Sequence, residues 1–473
     1  MRREIGVAMS EGVAAALRTH LVRDDGQEDV AFALWSPSFG AVRLTALLHT
    51  VVLPEEGDRQ VHGNASFNSQ YFERVCQLAL TGGLGVAFLH SHPFPGWQGM
   101  SDDDEAAEQR IAGPAAAITE LPLVGLTVGS DGAWSARSWE HVGGRSYRRH
   151  WCGVVRVVGE QLRPTYATEV MPRPALRDLF RRTITVWGTE AHADMARLRV
   201  GIVGLGSVGA LVAETLARMG LTRFSLIDFD RVEAHNLDRL VTATEADIGL
   251  LKVHVAAARI RSVRTAASVD VESVPFSVAE EPGYRGALDC DVLFCCADRP
   301  RARHILNHMA YAHLIPVIDG GIAVRFKRKR FSGVDWQVQT VGPGRPCLEC
   351  LETYDQADVS TEAAGMLDDP SYLKGLSAER RLKRNENVFP FAANLASLEV
   401  LHLVALVTGA AGVTDFGVQR FRYIPGILEL LPGRRCKPHC DQDHLIAAGD
   451  RHFTLTGRDP AAERSRSARP EVR

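Results

Sequence analysis

The stretch RVGIVGLGSVGALVAETLARMGLTRFSLIDFD, residues 199–230, decides the fold of the larger part of the chain. A short apolar run (199–203) meets a glycine-rich turn containing Gly204, Gly206 and Gly209. An amphipathic helix comes next, and then a second apolar run ending in Asp228 and Asp230. Strand, loop, helix and strand in that order make a βαβ unit, hence a parallel sheet covered by helices. The glycines permit a tight turn and close backbone approach, and the helix N-terminus after them attracts phosphate. By itself G-x-G-x-x-G suits NAD, FAD or ATP equally. The sheet is predicted to continue through DVLFCC (291–296) and PVID (316–319), with a long helix over about 391–408. Residues 198–456 are therefore expected to form a Rossmann-like, doubly wound α/β domain.

The residues beyond the second strand narrow the ligand. The chain reads Asp228-Phe229-Asp230, then Asn236-Leu237-Asp238-Arg239, then Asp247-Ile248-Gly249 and Lys252. A dinucleotide enzyme needs one acid there for a ribose, whereas an Asn-x-x-Arg and a lysine suit the charge of a nucleoside triphosphate. A further acid, Asp298, comes after strand DVLFCC at the carboxyl edge of the sheet, where it can hold Mg²⁺. This stretch resembles the ubiquitin-activating superfamily of ThiF/MoeB/HesA type over about residues 175–445. The resemblance implies ATP·Mg binding and adenylation of the C-terminal glycine of a ubiquitin-like protein, with release of pyrophosphate. It further implies that Asp228 and Asp230 address the ribose and metal region. Asn236, Arg239 and Lys252 would take the phosphates, and Asp298 the magnesium. An arginine from a partner protomer, Arg181 or Arg182 in LRDLFRRT, would reach the γ-phosphate and make the protein a homodimer.

Residues 1–150 read as a separate, small α+β unit. Ser10 can cap a helix to about Leu21, and strands are expected over 30–35 and 42–53. A helix is expected over 69–80, a core strand over 84–90, an acidic helix from about Asp102 and another strand near 123–128. Within it stands His90-Ser91-His92-Pro93, then Ser101 and, three residues on, Asp104. Alternate residues of a strand point the same way, so the two imidazoles share a side, and a carboxylate opening the next helix can join them. Three N/O ligands leave the fourth zinc position open, the layout of a catalytic site. A bare H-x-H is first of all a surface turn; the full string is far more specific. It is similar to the JAB/MPN⁺ (JAMM) metalloprotease family, over about residues 5–140. The resemblance implies a deaminase-like fold that trims or removes ubiquitin-like proteins, with His90, His92 and Asp104 as zinc ligands and Ser101 as oxyanion donor. The family's catalytic glutamate falls on Glu28, with Asp29 as second choice.

Nine cysteines in a chain of this length do not make a disulfide framework. Cys347-x-x-Cys350 and Cys436-x-x-x-Cys440 suit a closed structural zinc site, with His439 as an alternative to Cys440. Superfamily members that pass their cargo on as a thioester carry a cysteine between such pairs. Here that segment has none and offers Ser360, Thr361 and Ser371. Cys295 and Cys296, in a buried strand, are poor substitutes, and Cys152 stands outside the segment. Residues 151–197 are Arg-rich and are expected to be a helical connector; the tail 457–473, almost without apolar residues, is expected to be disordered.

Apolar residues make up 45 % and charged residues 23 %, ordinary for a folded protein, and the net charge of −3 argues against a dedicated nucleic-acid binder. No uninterrupted run of 18 apolar residues occurs and the N-terminus lacks a signal-peptide core, so a soluble cytoplasmic protein without a membrane partner is expected. The combined expectation is a bifunctional enzyme that adenylates, and matures or removes, a ubiquitin-like protein, with a ubiquitin-conjugating-type partner. The alternative is trimming and activation of a sulfur-carrier protein. A catalytically silent adaptor is the third possibility, and the nearly complete zinc and ATP residue sets oppose it.

Overall fold

The computed structural model describes residues 3–62, 64–144, 146–328, 330–367, 387–431, 435–452 and 455–467. The chain divides into two units, one of residues 1–172 with 311–314 and 444–453, the other holding the rest.

In the first unit the elements run β1 (Glu4–Ser10), α1 (Glu11–Leu21), β2 (Val30–Phe39), β3 (Arg43–Val52), β4 (Arg59–His62), β5 (Asn64–Phe67), α2 (Ser69–Gly82), β6 (Gly85–Ser91), α3 (Asp102–Thr119), β7 (Leu123–Val128), β8 (Trp134–Gly143), β9 (Ser146–Trp151), β10 (Val154–Val158) and β11 (Leu162–Tyr166). Nine of the strands form one mixed sheet in the order β11-β10-β1-β3-β2-β6-β7-β8-β9, while β4 and β5 pair only with each other. Both faces of the sheet are covered. Ala31, Ala33 and Trp35 of β2 look into a core shared with Leu17 and Leu21 of α1, whereas Phe32 and Leu34 pack with Tyr71 and Val75 of α2. That two-sided burial explains why β6, fully buried, reads as a continuous apolar run. Trp35 lies so close to Gly85 that any Cβ there would strike the indole.

The expected boundary at residue 150 and the helical connector over 151–197 need correction. VVRVV (154–158) is a strand that pairs in parallel with β1, and β11 adds to it antiparallel. Four valines in five residues suit a strand, and the Arg-rich neighbourhood masked them. Only the later part of the supposed connector is helical, as α4 (Arg181–Trp187) and α5 (Thr189–Arg197).

The second unit continues with β12 (Arg199–Val203), α6 (Ser207–Arg218), β13 (Arg223–Ile227), α7 (Lys252–Val263), β14 (Asp270–Val274), α8 (Glu281–Leu288), β15 (Val292–Cys295), α9 (Pro300–Ala312), β16 (Val317–Lys327), β17 (Arg330–Val341), α10 (Gln356–Ala363), α11 (Phe389–Thr408), β18 (Val418–Arg422), β19 (Ile427–Leu431) and α12 (Pro460–Ser467). Its sheet runs β14-β13-β12-β15-β16-β17-β18-β19. The first five strands are parallel and the last three are added antiparallel. The strand order reverses beside β12, so the crevice at the carboxyl ends of β12 and β15 is where such a sheet takes a ligand.

Among the described residues α11 alone is long and apolar enough to cross a membrane, and half of its apolar stretch is buried inside the protein. Leu395, Ala396, Leu403 and Leu406 are buried among the second unit's other elements, as in a core helix. The expected disorder of the tail needs correction over 457–467, and residues 468–473 lie outside the described residues. Residues 460–467 form α12, with Ala462 fully buried and the side chain of Asp459 accepting from the backbone N–H groups of Ala461 and Ala462. Polar docking contacts, which composition does not register, hold this segment.

Candidate functional sites

In the first unit, β6 lies between β2 and β7, so His90 stands opposite Val30 on one side and Thr127 on the other. His92 comes one residue past the strand. α3 opens with a reciprocal cap: the Ser101 hydroxyl accepts from the Asp104 N–H, and the Asp104 carboxylate accepts from the Ser101 N–H. The cap fixes Asp104 over the histidines, with Oδ1 3.4 Å from His90 Nε2 and Oδ2 3.3 Å from His92 Nε2. Ligands held ~2.0–2.1 Å from a tetrahedral zinc sit roughly 3.4 Å apart. One donor atom from each of His90, His92 and Asp104 lies within 4.8 Å of the other two, close enough to share one ion. Burial works to raise the Asp104 pKa, but hydrogen bonds from His90 and His92 outweigh it and hold the carboxylate well below its usual range. Burial pushes the His90 pKa down, toward the neutral form that ligates a metal, against the opposing pull of Asp104.

Behind His90 lies a buried polar cluster. Arg137 and Glu108, both fully buried, form an ion pair, and the Trp139 indole donates to Glu108. Thr127 and Arg137 reach the two ring nitrogens of His90 at 3.2 Å and 3.5 Å. Arg137 and Thr127 thus restrict the ring's orientation from behind, Arg137 on the Nδ1 side and Thr127 on the Nε2 side. Sequence reading missed it, since Glu108 and Arg137 look like two more surface charges.

Glu28 and Asp29 are distinguished by their partners. Asp29 is buried and faces Arg59 at 3.1 Å, Arg23 at 3.4 Å and His20 at 3.6 Å. Glu28 instead places Oε1 3.8 Å from His92 Nε2. Desolvation raises the Glu28 pKa against the pull of His92. Glu28, His90 and Asp104 all border one cavity, whose apolar wall includes Phe67, Phe72, Phe88 and Ile111.

In the second unit a cavity of about 590 Å³ opens where the strand order reverses. Gly204, at φ +90°, is in a conformation L side chains rarely adopt, and a Cβ there would meet the Cys296 carbonyl oxygen at 2.8 Å. A Cβ on Gly209 would overlap the Gly204 carbonyl, so the helix can start only without one. Gly206 faces open space. The buried Asp228 spends one oxygen on the Leu205 N–H (2.6 Å) and the other on the Asp230 N–H (2.7 Å), tying the glycine loop to the end of β13. Lys252 opens α7 and pairs with Asp230 at 2.9 Å. Burial alone would lower the Lys252 pKa, but Asp228 and Asp230 more than reverse this and keep it charged. Asn236, Arg239 and Asp298 line the same cavity.

Of the residues read for this site, Gly209 packs behind the loop rather than on the cavity, and Arg181 and Arg182 are exposed on α4 and do not line it; the others do. Sequence reading missed the opposite wall. There Arg420 donates to Gln337, Gln337 to Gln339, Gln339 to Asp319, and Arg303 to Asp319. The alternation of Gln337 and Gln339 along β17 was the available signal.

Cys347, Cys350, Cys436 and Cys440 converge with all four sulfurs within 4.8 Å of one another. The Cys347 and Cys440 sulfurs lie 3.7 Å apart, near the roughly 3.8 Å edge of a tetrahedral zinc–thiolate site with ~2.3 Å bonds. Backbone N–H groups of Cys347, Cys350 and Lys437 point at sulfurs of the set, as thiolates require. The donor set fits zinc, while His439 is exposed and outside the cluster. Cys347→Ser is expected to cost one zinc per chain and several kcal/mol of stability, on the order of 10 °C in melting temperature. Elemental analysis and calorimetry on the same preparation check it; unchanged zinc content with an unchanged transition would contradict it.

Of the described side chains read in place of the missing cysteine, Cys296 alone borders the cavity, with its thiol donating to Glu399. Ser360 and Thr361 lie on α10 with hydroxyls donating to backbone carbonyls one turn back, and Ser371 lies outside the described residues. Burial drives the thiols of Cys295 and Cys296 well above their ordinary range and that of Cys152 to about 12.

The ThiF family model matches residues 180–432, just over half of the chain. The SAMP-activating enzyme E1 of Haloferax volcanii is 31 % identical over 164 residues, 35 % of this chain and 57 % of that protein. The molybdopterin-synthase adenylyltransferase of Escherichia coli is 30 % identical over 177 residues, 37 % and 66 % respectively. The sulfur carrier protein ThiS adenylyltransferase of Bacillus subtilis is 30 % identical over 167 residues, 35 % and 46 %. The chain thus spans between about half and two thirds of the length of these curated relatives. On the matched family, and with the glycine loop, acids and lysine it requires gathered at one cavity, the chain belongs to the ThiF family.

Proposed function

We propose that the chain is a two-headed enzyme of a ubiquitin-like modification pathway. The second unit adenylates the C-terminal glycine of a ubiquitin-like or sulfur-carrier protein, and the first hydrolyses a peptide or isopeptide bond made by that protein, in the manner of JAMM proteases. The observation that carries the first half is the single cavity bordered by Gly204, Asp228, Lys252 and Asp298. Lys252 and Arg239 would hold the phosphates of ATP and Asp298 its Mg²⁺. The partner's carboxylate oxygen bonds to the α-phosphorus, the bond to the β-phosphate oxygen breaks, and acyl-adenylate and pyrophosphate result. Names among the relatives, activators of SAMP and of the sulfur carrier ThiS, support this choice of partner.

The hydrolytic half rests on the spacing of His90, His92 and Asp104, which would hold the zinc. Zinc supplies the Lewis acidity that makes water nucleophilic near neutral pH. Glu28 takes that water's proton and returns it to the leaving amine. The Ser101 hydroxyl, which accepts from Asp104 N–H, keeps its proton to donate to the oxyanion.

Because no cysteine lies between Cys350 and Cys436, the reaction on this chain ends at the acyl-adenylate. That favours onward sulfur transfer as a second reading, against hand-over to a ubiquitin-conjugating-type enzyme. We place the protein in the cytoplasm, where ATP is present and its nine thiols stay reduced, and as a homodimer in which the exposed Arg182 serves the partner's nucleotide. The test is mass spectrometry of a purified ubiquitin-like protein ending in glycine, incubated with the chain and ATP, and separately a tail-extended form with zinc. An adenylate mass in the first and loss of the extension in the second are expected. Absence of either removes that half.

A further inference from the structure

The ThiF match stops at residue 432, yet the chain comes back to the nucleotide cavity. Gly457 N–H donates to the Ala279 carbonyl at 2.8 Å, and the Arg301 guanidinium to the Arg458 carbonyl at 2.6 Å. Asp459 is buried, caps α12 and itself borders the cavity. The Ser465 hydroxyl donates to the Phe229 carbonyl at 3.0 Å. Arg466 grips Glu280 with both terminal nitrogens, one at 2.8 Å, and its guanidinium carbon lies 5.2 Å from the centre of the Phe276 ring. Glu280 in turn accepts from Ser277 N–H at 3.0 Å. Phe229, Phe276, Ser277, Ala279 and Arg301 all line the cavity.

Three separate walls are tied by this one segment: the end of β13, the loop after β14 and the head of α9. In a doubly wound sheet these loops after the strands build the binding site, and loops move unless something holds them. An aromatic ring at such a site is of use to a planar base only if its orientation is fixed, and Arg466 lies over the Phe276 ring. The segment itself buries little apolar surface, so its attachment is weak by hydrophobic measure and rests on directed polar contacts. A ligand that meets walls already ordered is spared the cost of ordering them.

We propose that residues 457–467 are a working part of the nucleotide site: a C-terminal strap that holds the base-binding wall in place for a purine nucleoside triphosphate. This rests on the adenylation reading. The strap acts by positioning. Removing it weakens ATP binding and blunts the preference for ATP over GTP, while the hydrolytic site in the first unit keeps its zinc.

Calorimetric titration with a non-hydrolysable ATP analogue, and with its GTP counterpart, tests this on four proteins: the full chain, the chain ended at Thr456, Arg466→Ala and Arg466→Lys. The full chain is expected to bind the ATP analogue and prefer it. The shortened chain should bind at least about tenfold more weakly and lose most of the preference. Arg466→Ala should fall between them, and Arg466→Lys, which keeps the charge facing Glu280, should recover part of the loss. If the shortened chain does not fold, as judged by circular dichroism and zinc content, the two point variants decide the matter in the same way. Equal binding by the full chain and the variants overturns the strap, and so does tighter binding on its removal, which would make the segment a plug. Failure of the full chain to bind any nucleotide overturns the adenylation reading instead.

Discussion

Asp298→Ala is expected to lower ATP–pyrophosphate exchange driven by the ubiquitin-like partner by about 10²–10³, the effect of removing one electrostatic contact from a developing charge. Asp298 comes just after β15, on the carboxyl edge of the sheet, and borders the same cavity as the glycine loop. Its negative charge is felt there: it contributes to keeping Lys252 and Arg303 protonated, beside larger contributions from Asp228 and Asp319. Without Asp298 those cations would remain to attract the triphosphate, while the magnesium that would offset charge on the departing pyrophosphate would lose one of its ligands. The loss should therefore fall on kcat, with the KM for ATP moving little. Isotope exchange with labelled pyrophosphate measures both. An unchanged kcat in Asp298→Ala would remove the residue from the mechanism, and Glu28→Ala in the same assay should behave as the wild type.

The parallel half of the second unit was legible because its determinants are local. A strand, three glycines at fixed offsets and a helix start within a dozen residues are dictated by backbone sterics, and Gly204 and Gly209 show the close approaches directly. The same holds for His90, Ser101 and Asp104, where a strand end and a helix cap set the geometry. The features that escaped reading depend on partners far away in sequence. β10 is a strand because β1, almost 150 residues earlier, offers it an edge. The Glu108–Arg137 pair is buried only because β8 brings Arg137 under α3. The tail folds because Glu280 and Phe229 are there to receive Arg466 and Ser465. Charged residues carry no mark in sequence that tells a solvated face from a docked one, and each of these cases turned on that distinction.

Glu28→Gln is the second substitution with a large expected effect, and it separates the two heads of the molecule. Glutamine keeps the shape of the side chain and loses its basicity. The three donors that fit zinc are His90, His92 and Asp104, and Glu28 stands outside that set, with its Oε1 3.8 Å from His92. The variant should therefore bind zinc at the wild-type stoichiometry. Position and environment suit a base: the carboxylate is partly withdrawn from water, which raises its pKa, while the neighbouring His92 pulls the other way. A positioned general base contributes typically about 10²–10⁴ in rate, so cleavage of a tail-extended ubiquitin-like protein should fall by that factor. Asp29→Asn offers the contrast. That carboxylate is buried against Arg59 and Arg23, and removing its charge takes a partner from Arg59, whereas Arg23 keeps Asp25. It should cost stability, about 1–3 kcal/mol for hydrogen bonds lost by a buried group, rather than the proton-transfer step itself. Zinc content, melting temperature and cleavage rate on the two variants decide between them. Should Glu28→Gln cleave at the wild-type rate with zinc bound, the base lies elsewhere; should it lose zinc as well, Glu28 belongs to the metal's ligands and the three-donor site is incomplete.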